Sequence, residues 1–332
     1  MSMVYQQEFL QRLQHLLGKA LPRWGLSAHS ELKLLTISEN ATYLVTDPES
    51  QQCLVMRVHR PGYTSLVEIN SELAWIEALQ QSGTVHTASP VPMIDNDLVG
   101  VLQDGENQRH VVAFEFVPGK EPDTSDNLTY WYQELGRVTG HLHNHSKAWG
   151  KPAGFTRKIW NFNTILGEHA YWGNWRNAQG LTPDGLAILE RTATLLKQQT
   201  DDFGYDPQRF GLVHCDTRLA NLLVEGERMT VIDFDDCGIC WYAYDFATSV
   251  SFMEHDPRIE TFLNAWLTGY RSVATLSVEE EKAIPMFIML RRMQLTAWIA
   301  SHAETPTAQN SGAGYTQGTL ALAENYLSRY TR

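Results

Sequence analysis

The sequence predicts an α+β protein in which a strand-rich N-terminal part precedes a larger, mainly helical part. Three observations carry that reading. Short apolar runs bounded by polar turns cluster between residues 32 and 117, as β-strands require. From residue 128 onward, apolar residues recur at helical spacing instead. Finally, 332 residues with 43% hydrophobic and 19% charged content are enough for two domains, or for one domain of two lobes, with a sizeable core.

Charge and cysteine content narrow the class. A net charge of −12 argues against duplex nucleic acid or anionic lipid as the main partner. Four cysteines without a disulfide-like framework fit a reducing compartment. At the N-terminus, Leu10, Leu13, Leu16 and Leu17 recur at helical spacing, with Gln and Arg interrupting the stretch throughout. That pattern predicts an amphipathic leading helix over 1–24 and no secretory signal. No run approaches the ~20 apolar residues that span a bilayer. A soluble, cytoplasmic protein is expected.

The first strands are expected at Leu32–Ile37, Tyr43–Thr46 and Cys53–Val58, with 47–50 as the turn between the last two. Ser38-Glu39-Asn40-Ala41-Thr42 is a short polar turn between strands. Backbone N–H groups in such a turn can cover phosphates, although without a glycine it also reads as an ordinary hairpin. Arg57 lies inside the third apolar strand, where a charge needs an anionic partner. The following segment, Leu66–Gln80, has helical periodicity and carries Glu68 and Glu72. A strand cation that pairs with a helix glutamate and also touches nucleotide phosphates is the Lys–Glu device of kinases. Arginine can fill that place, since its fork holds oxygens at two points. Two more strands are expected at Leu98–Leu102 and Val111–Val117, separated by a polar loop over 103–109. The boundary and hinge are placed after Phe114-Glu115-Phe116-Val117-Pro118-Gly119, where the main-chain groups of Glu115 and Val117 would read an adenine edge.

Leu128–His145 is expected to be a helix. Its His141, His143 and His145 lack a carboxylate or cysteine to complete a metal set, so they read as structural or surface residues. Residues 160–175 hold Trp160, Phe162, Tyr171, Trp172 and Trp175. Such a cluster is either core packing or part of an acceptor pocket that holds an ammonium group by cation–π attraction. Glu121, Asp123 and Asp126 could add negative charge to the pocket.

Residues 211–238, GLVHCDTRLANLLVEGERMTVIDFDDCG, carry the chemistry. His214, Asp216 and Asn221 form H-x-D-x-x-x-x-N between two apolar strands. An aspartate on such a loop can accept the proton of an attacking hydroxyl, and an asparagine five residues on can reach a magnesium ion. The strand Met229–Ile232 then delivers Asp233 as a second metal ligand.

These motifs resemble the aminoglycoside phosphotransferase and choline kinase family, the small-molecule relatives of protein kinases. LVHCDTRLANLL resembles the family's catalytic loop, VIDFDDCG its metal-binding turn and LVMRV its phosphate-contacting strand. SENATYLV, with Ser38 and Asn40, resembles the nucleotide loop, and FEFVPG the hinge. The likeness runs from about residue 30 to 250 and includes Tyr244-Asp245-Phe246-Ala247. It implies a bilobal protein-kinase-like fold with an N-terminal antiparallel-sheet lobe and a larger, mainly helical C-terminal lobe. The implied division is a nucleotide-binding lobe at 1–117 and, at 118–332, a lobe with the catalytic loop and acceptor site.

The implied reaction is magnesium-dependent transfer of the γ-phosphate of ATP or GTP to a hydroxyl. In that scheme Asp216 is the base, Asn221 and Asp233 hold magnesium, and Arg57 contacts phosphate with Glu72 as its partner. His214 orients the loop, Asp245 anchors it, and Arg218 neutralises the transferring phosphoryl group. Two departures stand out: Cys215 replaces a usual glycine and arginine replaces lysine at 57. Asp235 and Asp236 follow Asp233 closely enough to share the metal role, whereas Cys237 and Cys240 lack a second pair for zinc.

Further helices are expected at 241–254, 259–270, 278–301 with a kink or restart at Pro285, and 320–330, with a mobile loop at 303–315. Arg291 and Arg292 sit in the apolar run MFIMLRRMQLTAWIA and need partners, in the acidic turn or near the acceptor. Negative charge and aromatic content favour a small cationic acceptor: an amino alcohol, hydroxy amino acid or amino sugar. The competing readings are a protein Ser/Thr kinase, which would need an activation segment between Asp233 and Asp245, and a nucleotide-binding pseudoenzyme acting through partners.

Overall fold

The computed structural model describes residues 7–123 and 125–331, so the first six residues of the expected leading helix lie outside it. The chain divides into two units. One runs to Gly119 and takes in Lys151–Thr156; the other comprises Lys120–Gly150 and everything from Arg157 onward.

In the first unit, helix α1 (Gln7–Ala20) buries Leu13 and Leu17. It is followed by strands β1 (Glu31–Ile37), β2 (Ala41–Thr46) and β3 (Cys53–Val58), helix α2 (Leu66–Ser82), and strands β4 (Pro90–Val91), β5 (Val99–Asp104) and β6 (Asn107–Glu115). The strands pair antiparallel in the order β1-β2-β3-β6-β4, with β5 also on β6. Alternation sorts β3 between two faces. Leu54, Met56 and Val58 join the core with Leu13, Leu17 and Trp24. Arg57 points the other way, opposite Val112, which packs with Ile69 and Leu73 of α2.

The helix start is fixed by a capping box: Ser65 accepts from the Glu68 amide, and the Glu68 side chain takes the Ser65 amide. The expected polar loop at 103–109 is a tight hairpin. Asp104 pairs with Asn107, and Arg12 and Arg109 cover the Asp104 carboxylate at 3.0 and 2.8 Å. Ion pairing lets the polar ends of both strands stay in the ladder.

The second unit holds helix α3 (Leu128–Ala148), strand β7 (Lys158–Ile159), the short helix α4 (Phe162–Ile165) and helix α5 (Pro183–Phe203). Strands β8 (Phe210–Val213), β9 (Leu222–Glu225), β10 (Arg228–Val231) and β11 (Gly238–Trp241) follow, then helices α6 (Tyr244–Ser249), α7 (Ile259–Arg271), α8 (Val278–Ser301) and α9 (Pro306–Tyr330). β9 and β10 form a hairpin, and β11 lies between β7 and β8. Helices α3 and α7 meet at Gly136 and Gly269, where an added Cβ would stand 2.0 Å from the Trp266 carbonyl and 1.8 Å from that of Gln133. Only glycine allows that approach.

Three expectations change. The helix expected at 241–254 is strand β11 and then only the six residues of α6, because 238–241 pair with β8. The expected mobile loop at 303–315 is the first part of α9, capped by Thr305 and interrupted at Gly312 (φ 45°). Helix α8 runs from Val278 to Ser301 through Pro285 as one element. Helix α5 was not anticipated, although the Thr182-Pro183 start is a standard helix opening. Among the described residues, no helix is long and apolar enough to cross a membrane.

Candidate active site

In the first unit, the strand cation has its helix partner. Arg57 Nη2 donates to both Glu72 oxygens, at 2.7 and 2.8 Å, and both residues are buried. The guanidinium also faces the Phe114 ring at 5.3 Å. Glu68, the other candidate, is engaged by the helix cap. In the turn before β2, the Ser38 amide donates to the Asn40 carbonyl at 3.0 Å, and Asn40 Oδ1 accepts from the Arg60 amide at 3.1 Å. The Glu115 amide donates to the Ser89 carbonyl, so of its main-chain groups only the carbonyl can serve a ligand. Val117 follows β6 half-buried.

In the second unit, β8 and β9 leave between them the loop 214–221, which is held from below by one buried carboxylate. Asp245, at the start of α6, accepts from the His214 and Cys215 amides at 3.2 and 2.8 Å. It also meets His143 Nε2 at 3.1 Å. That use explains His143, whose ring is buried and whose Nδ1 reaches the Tyr270 hydroxyl. His141 and His145 take no part in this contact, and among the described residues no group of three His, Cys, Asp or Glu could hold a metal ion. Thr217 completes the anchor by donating to the Asp245 carbonyl at 2.7 Å.

His214 fastens the loop to the acidic turn. Its Nδ1 accepts from the Asp216 amide at 3.2 Å, so Nε2 carries the hydrogen and donates to the Ile232 carbonyl at 3.1 Å. Its ring packs on Phe234 at 4.5 Å. Cys215 has a left-handed backbone (φ 65°), the conformation that glycine adopts without cost. The loop therefore keeps the geometry implied for a glycine, with a buried thiol whose pKa burial pushes up.

Asp216 is nearly buried and accepts at both carboxylate oxygens. Oδ1 accepts from Arg291 Nη2 at 2.5 Å; Oδ2 accepts from Asn221 Nδ2 at 2.7 Å and from Arg218 Nε at 3.3 Å. Burial alone would raise its pKa, but the Arg291 and Arg218 guanidiniums outweigh that and hold it below the usual carboxylate range. It is an ionised acceptor at neutral pH. Asn221 gives a second N–H bond to the Asp216 carbonyl at 2.8 Å, which turns its amide oxygen away from the carboxylate.

Asp233, after β10, is also left-handed (φ 62°), and its side chain is exposed. Its neighbours are placed differently. Asp236 receives Lys158 Nζ at 3.2 Å, and its carbonyl accepts from the Trp160 indole at 2.8 Å. Asp235 is buried, and its carbonyl accepts from Arg157. Arg157 also donates to the Cys237 carbonyl at 2.7 Å. Sequence reading gave no role to Arg157 or Lys158; their signal was two adjacent cations beside a short strand. The donor set of Asn221 and Asp233 suits a hard cation that keeps water and phosphate oxygens for its remaining ligands.

The aromatic stretch at 160–175 is mainly core. Trp160, Trp172 and Trp175 are buried, while Tyr171 is 42% exposed. Trp172 stacks its face under the Arg291 guanidinium at 4.8 Å. Asp126 is paired with Lys120 at 2.8 Å, and Asp123 accepts from Ser125. Arg292 is paired with Glu254 at 2.7 Å and lies 3.4 Å over the Tyr315 ring. Of the two helix arginines, only Arg291 reaches the loop.

Comparison with known proteins matches this architecture. The structure resembles that of a microcompartment-associated aminopropanol kinase at 43% identity and TM-score 0.87, over 95% of this chain and 97% of that one. It also resembles an amicoumacin kinase solved with AMP-PNP, Ca2+ and Ami, at 22% identity and TM-score 0.80, over 98% and 97% of the two chains. In sequence, the amicoumacin kinase of Bacillus subtilis (strain 168) is 25% identical over 84% of this chain and 82% of its own length. A further relative, an uncharacterized protein of Deinococcus radiodurans, is 27% identical over 87% and 82%. The chain belongs to the phosphotransferase enzyme family, whose model matches residues 32–276, and it is a kinase that phosphorylates a hydroxyl group.

Proposed function

We propose that this enzyme transfers the γ-phosphate of Mg-ATP to the hydroxyl of a small amino alcohol, with Asp216 as the base. The observation that carries the reading is the Asp216 carboxylate, ionised and fixed at both oxygens, beside Asn221 and on the same loop system as the exposed Asp233. The aminopropanol kinase relative supports the acceptor class.

Asp216 aligns the acceptor hydroxyl and takes its proton as the new O–P bond forms. The bond from phosphorus to the bridging oxygen breaks, and ADP leaves with that electron pair. Asn221 Oδ1 and Asp233 are the protein groups that would hold magnesium, which neutralises the phosphate charge when bound. In the first unit Arg57, held by Glu72, is the group assigned to phosphate oxygens, with Ser38 and Asn40 as the assigned nucleotide turn. Arg218 faces the developing charge on the transferring group. Positioning and charge neutralisation account for most of the rate in such chemistry.

Trp160, Trp172 and Trp175 pack as core, so they cannot form an open aromatic cage. Tyr171, which is exposed, is a ring of the cluster that can still meet the ammonium of the acceptor by cation–π attraction. The protein-kinase alternative is disfavoured because β11 and α6 fill the interval from Asp233 to Asp245. The test is a panel of amino alcohols, hydroxy amino acids, amino sugars and a generic protein substrate with Mg-ATP, read by phosphorus NMR of the product. Phosphorylation of the protein substrate alone would refute the small-molecule reading.

A further inference from the structure

The apolar run on α8 supplies a residue that the family motifs do not include. Arg291 comes from a helix 75 positions away from Asp216 in sequence, yet its guanidinium is 1% exposed and bound on three sides. Nε donates to Ser251 Oγ at 2.9 Å, Nη1 to Gln294 Oε1 at 3.2 Å, and Nη2 to Asp216 Oδ1 at 2.5 Å. Tyr244 donates to the same Gln294 oxygen at 2.5 Å, and Trp172 covers the flat face. A free arginine samples many rotamers; this one is held at every level of its fork. The carboxylate it touches is held in turn.

We propose that Arg291 is a positioning residue for phosphoryl transfer, fixing the plane of the Asp216 carboxylate so that it meets the acceptor hydroxyl in one orientation. The inference rests on the reading of Asp216 as the base. Asn221 and Arg218 hold Oδ2 from the loop itself, but both have second duties, one toward the metal and one toward the transferring phosphoryl group. Arg291 has none, since its remaining partners, Ser251 and Gln294, belong to the helical scaffold. It therefore supplies the one contact to the base that stays constant while the others rearrange. Removing one partner of a buried pair is itself destabilising, so the kinetic role is also read from variants that keep both charges.

The experiment measures kcat, KM for ATP and KM for the acceptor in Arg291→Met, Gln294→Ala, Ser251→Ala and Asp216→Asn. Misplacing a catalytic group by about 1 Å costs roughly 100-fold in rate. Arg291→Met should lose about that factor in kcat, with KM for ATP within twofold of the parent. Gln294→Ala and Ser251→Ala keep the charge and loosen the fork, and each should lose several-fold in kcat alone. If Arg291→Met fails to fold, these two variants carry the test. Unchanged kcat in both, or a loss confined to acceptor KM in Arg291→Met, overturns the proposal. Asp216→Asn separates the two layers. If it still transfers phosphate, the base reading fails and this inference with it. If it is inactive while the other variants keep full kcat, only the Arg291 inference fails.

Discussion

Glu72→Ala removes the carboxylate that accepts two bonds from Arg57, at 2.7 and 2.8 Å, where both side chains are nearly inaccessible. Removing one partner of a buried pair costs about 3–5 kcal/mol, because the remaining charge stays desolvated. For a unit of this size each kcal/mol moves the midpoint by several degrees, so the first melting transition should fall by on the order of 10 °C. The double variant Arg57→Met, Glu72→Met replaces the pair with apolar volume against Ile69, Leu73 and Val112. Such replacements are often neutral for stability, so most of the lost melting temperature should return. Transfer should not return, since the phosphate contact we propose for Arg57 is gone. The assay pairs calorimetric melting with a coupled ADP-release measurement on both variants. A double variant that regains stability and also shows parental kcat/KM for ATP would refute the functional role of the pair. A single variant within 1 kcal/mol of the parent would refute the burial argument.

Burial holds the His143 and His214 rings below their ordinary pKa, against the pull of Asp245 on both. The unfolded chain protonates them near pH 6.5 and the folded chain does not, so stability is full above about 6.5 and declines as pH falls below it. Denaturant unfolding from pH 7.5 to 5.5 should show that decline, with a shallower slope in His143→Gln. Chelation with EDTA should stop transfer and added magnesium should restore it. The melting temperature of the nucleotide-free protein should not change, because among the described residues no cluster of three acidic, His or Cys ligands could hold a structural ion. Asp245→Asn should weaken the anchor under the His214 and Cys215 amides and lower kcat by at least tenfold, read against unchanged ATP affinity by titration.

What could be read from sequence was what sits in one stretch of chain. The H-x-D-x-x-x-x-N spacing and the strand ending at Asp233 are local, and so is the anomaly of Arg57 in an apolar strand. Glu72 followed from the family resemblance as the Arg57 partner, and the helix cap that engages Glu68 supplies the physical reason. Long-range pairs were not legible. Arg291 required a partner on composition grounds, but only packing of α8 against the loop selects Asp216 over the acidic turn. Arg157 and Lys158 likewise act through the 234–237 turn, nearly 80 residues away. The aromatic cluster could have been wall or core, because ring content does not encode which faces are covered; three of its tryptophans are buried.

We propose Asp216 as the group that accepts the proton of a small acceptor. This role is tested most directly by single-turnover transfer from Mg-ATP to 1-amino-2-propanol in the parent and in Asp216→Asn. Loss of a general base costs about 100- to 10,000-fold, so the transfer rate of Asp216→Asn should fall by that factor with nucleotide affinity retained. Transfer at the parental rate in Asp216→Asn would contradict it.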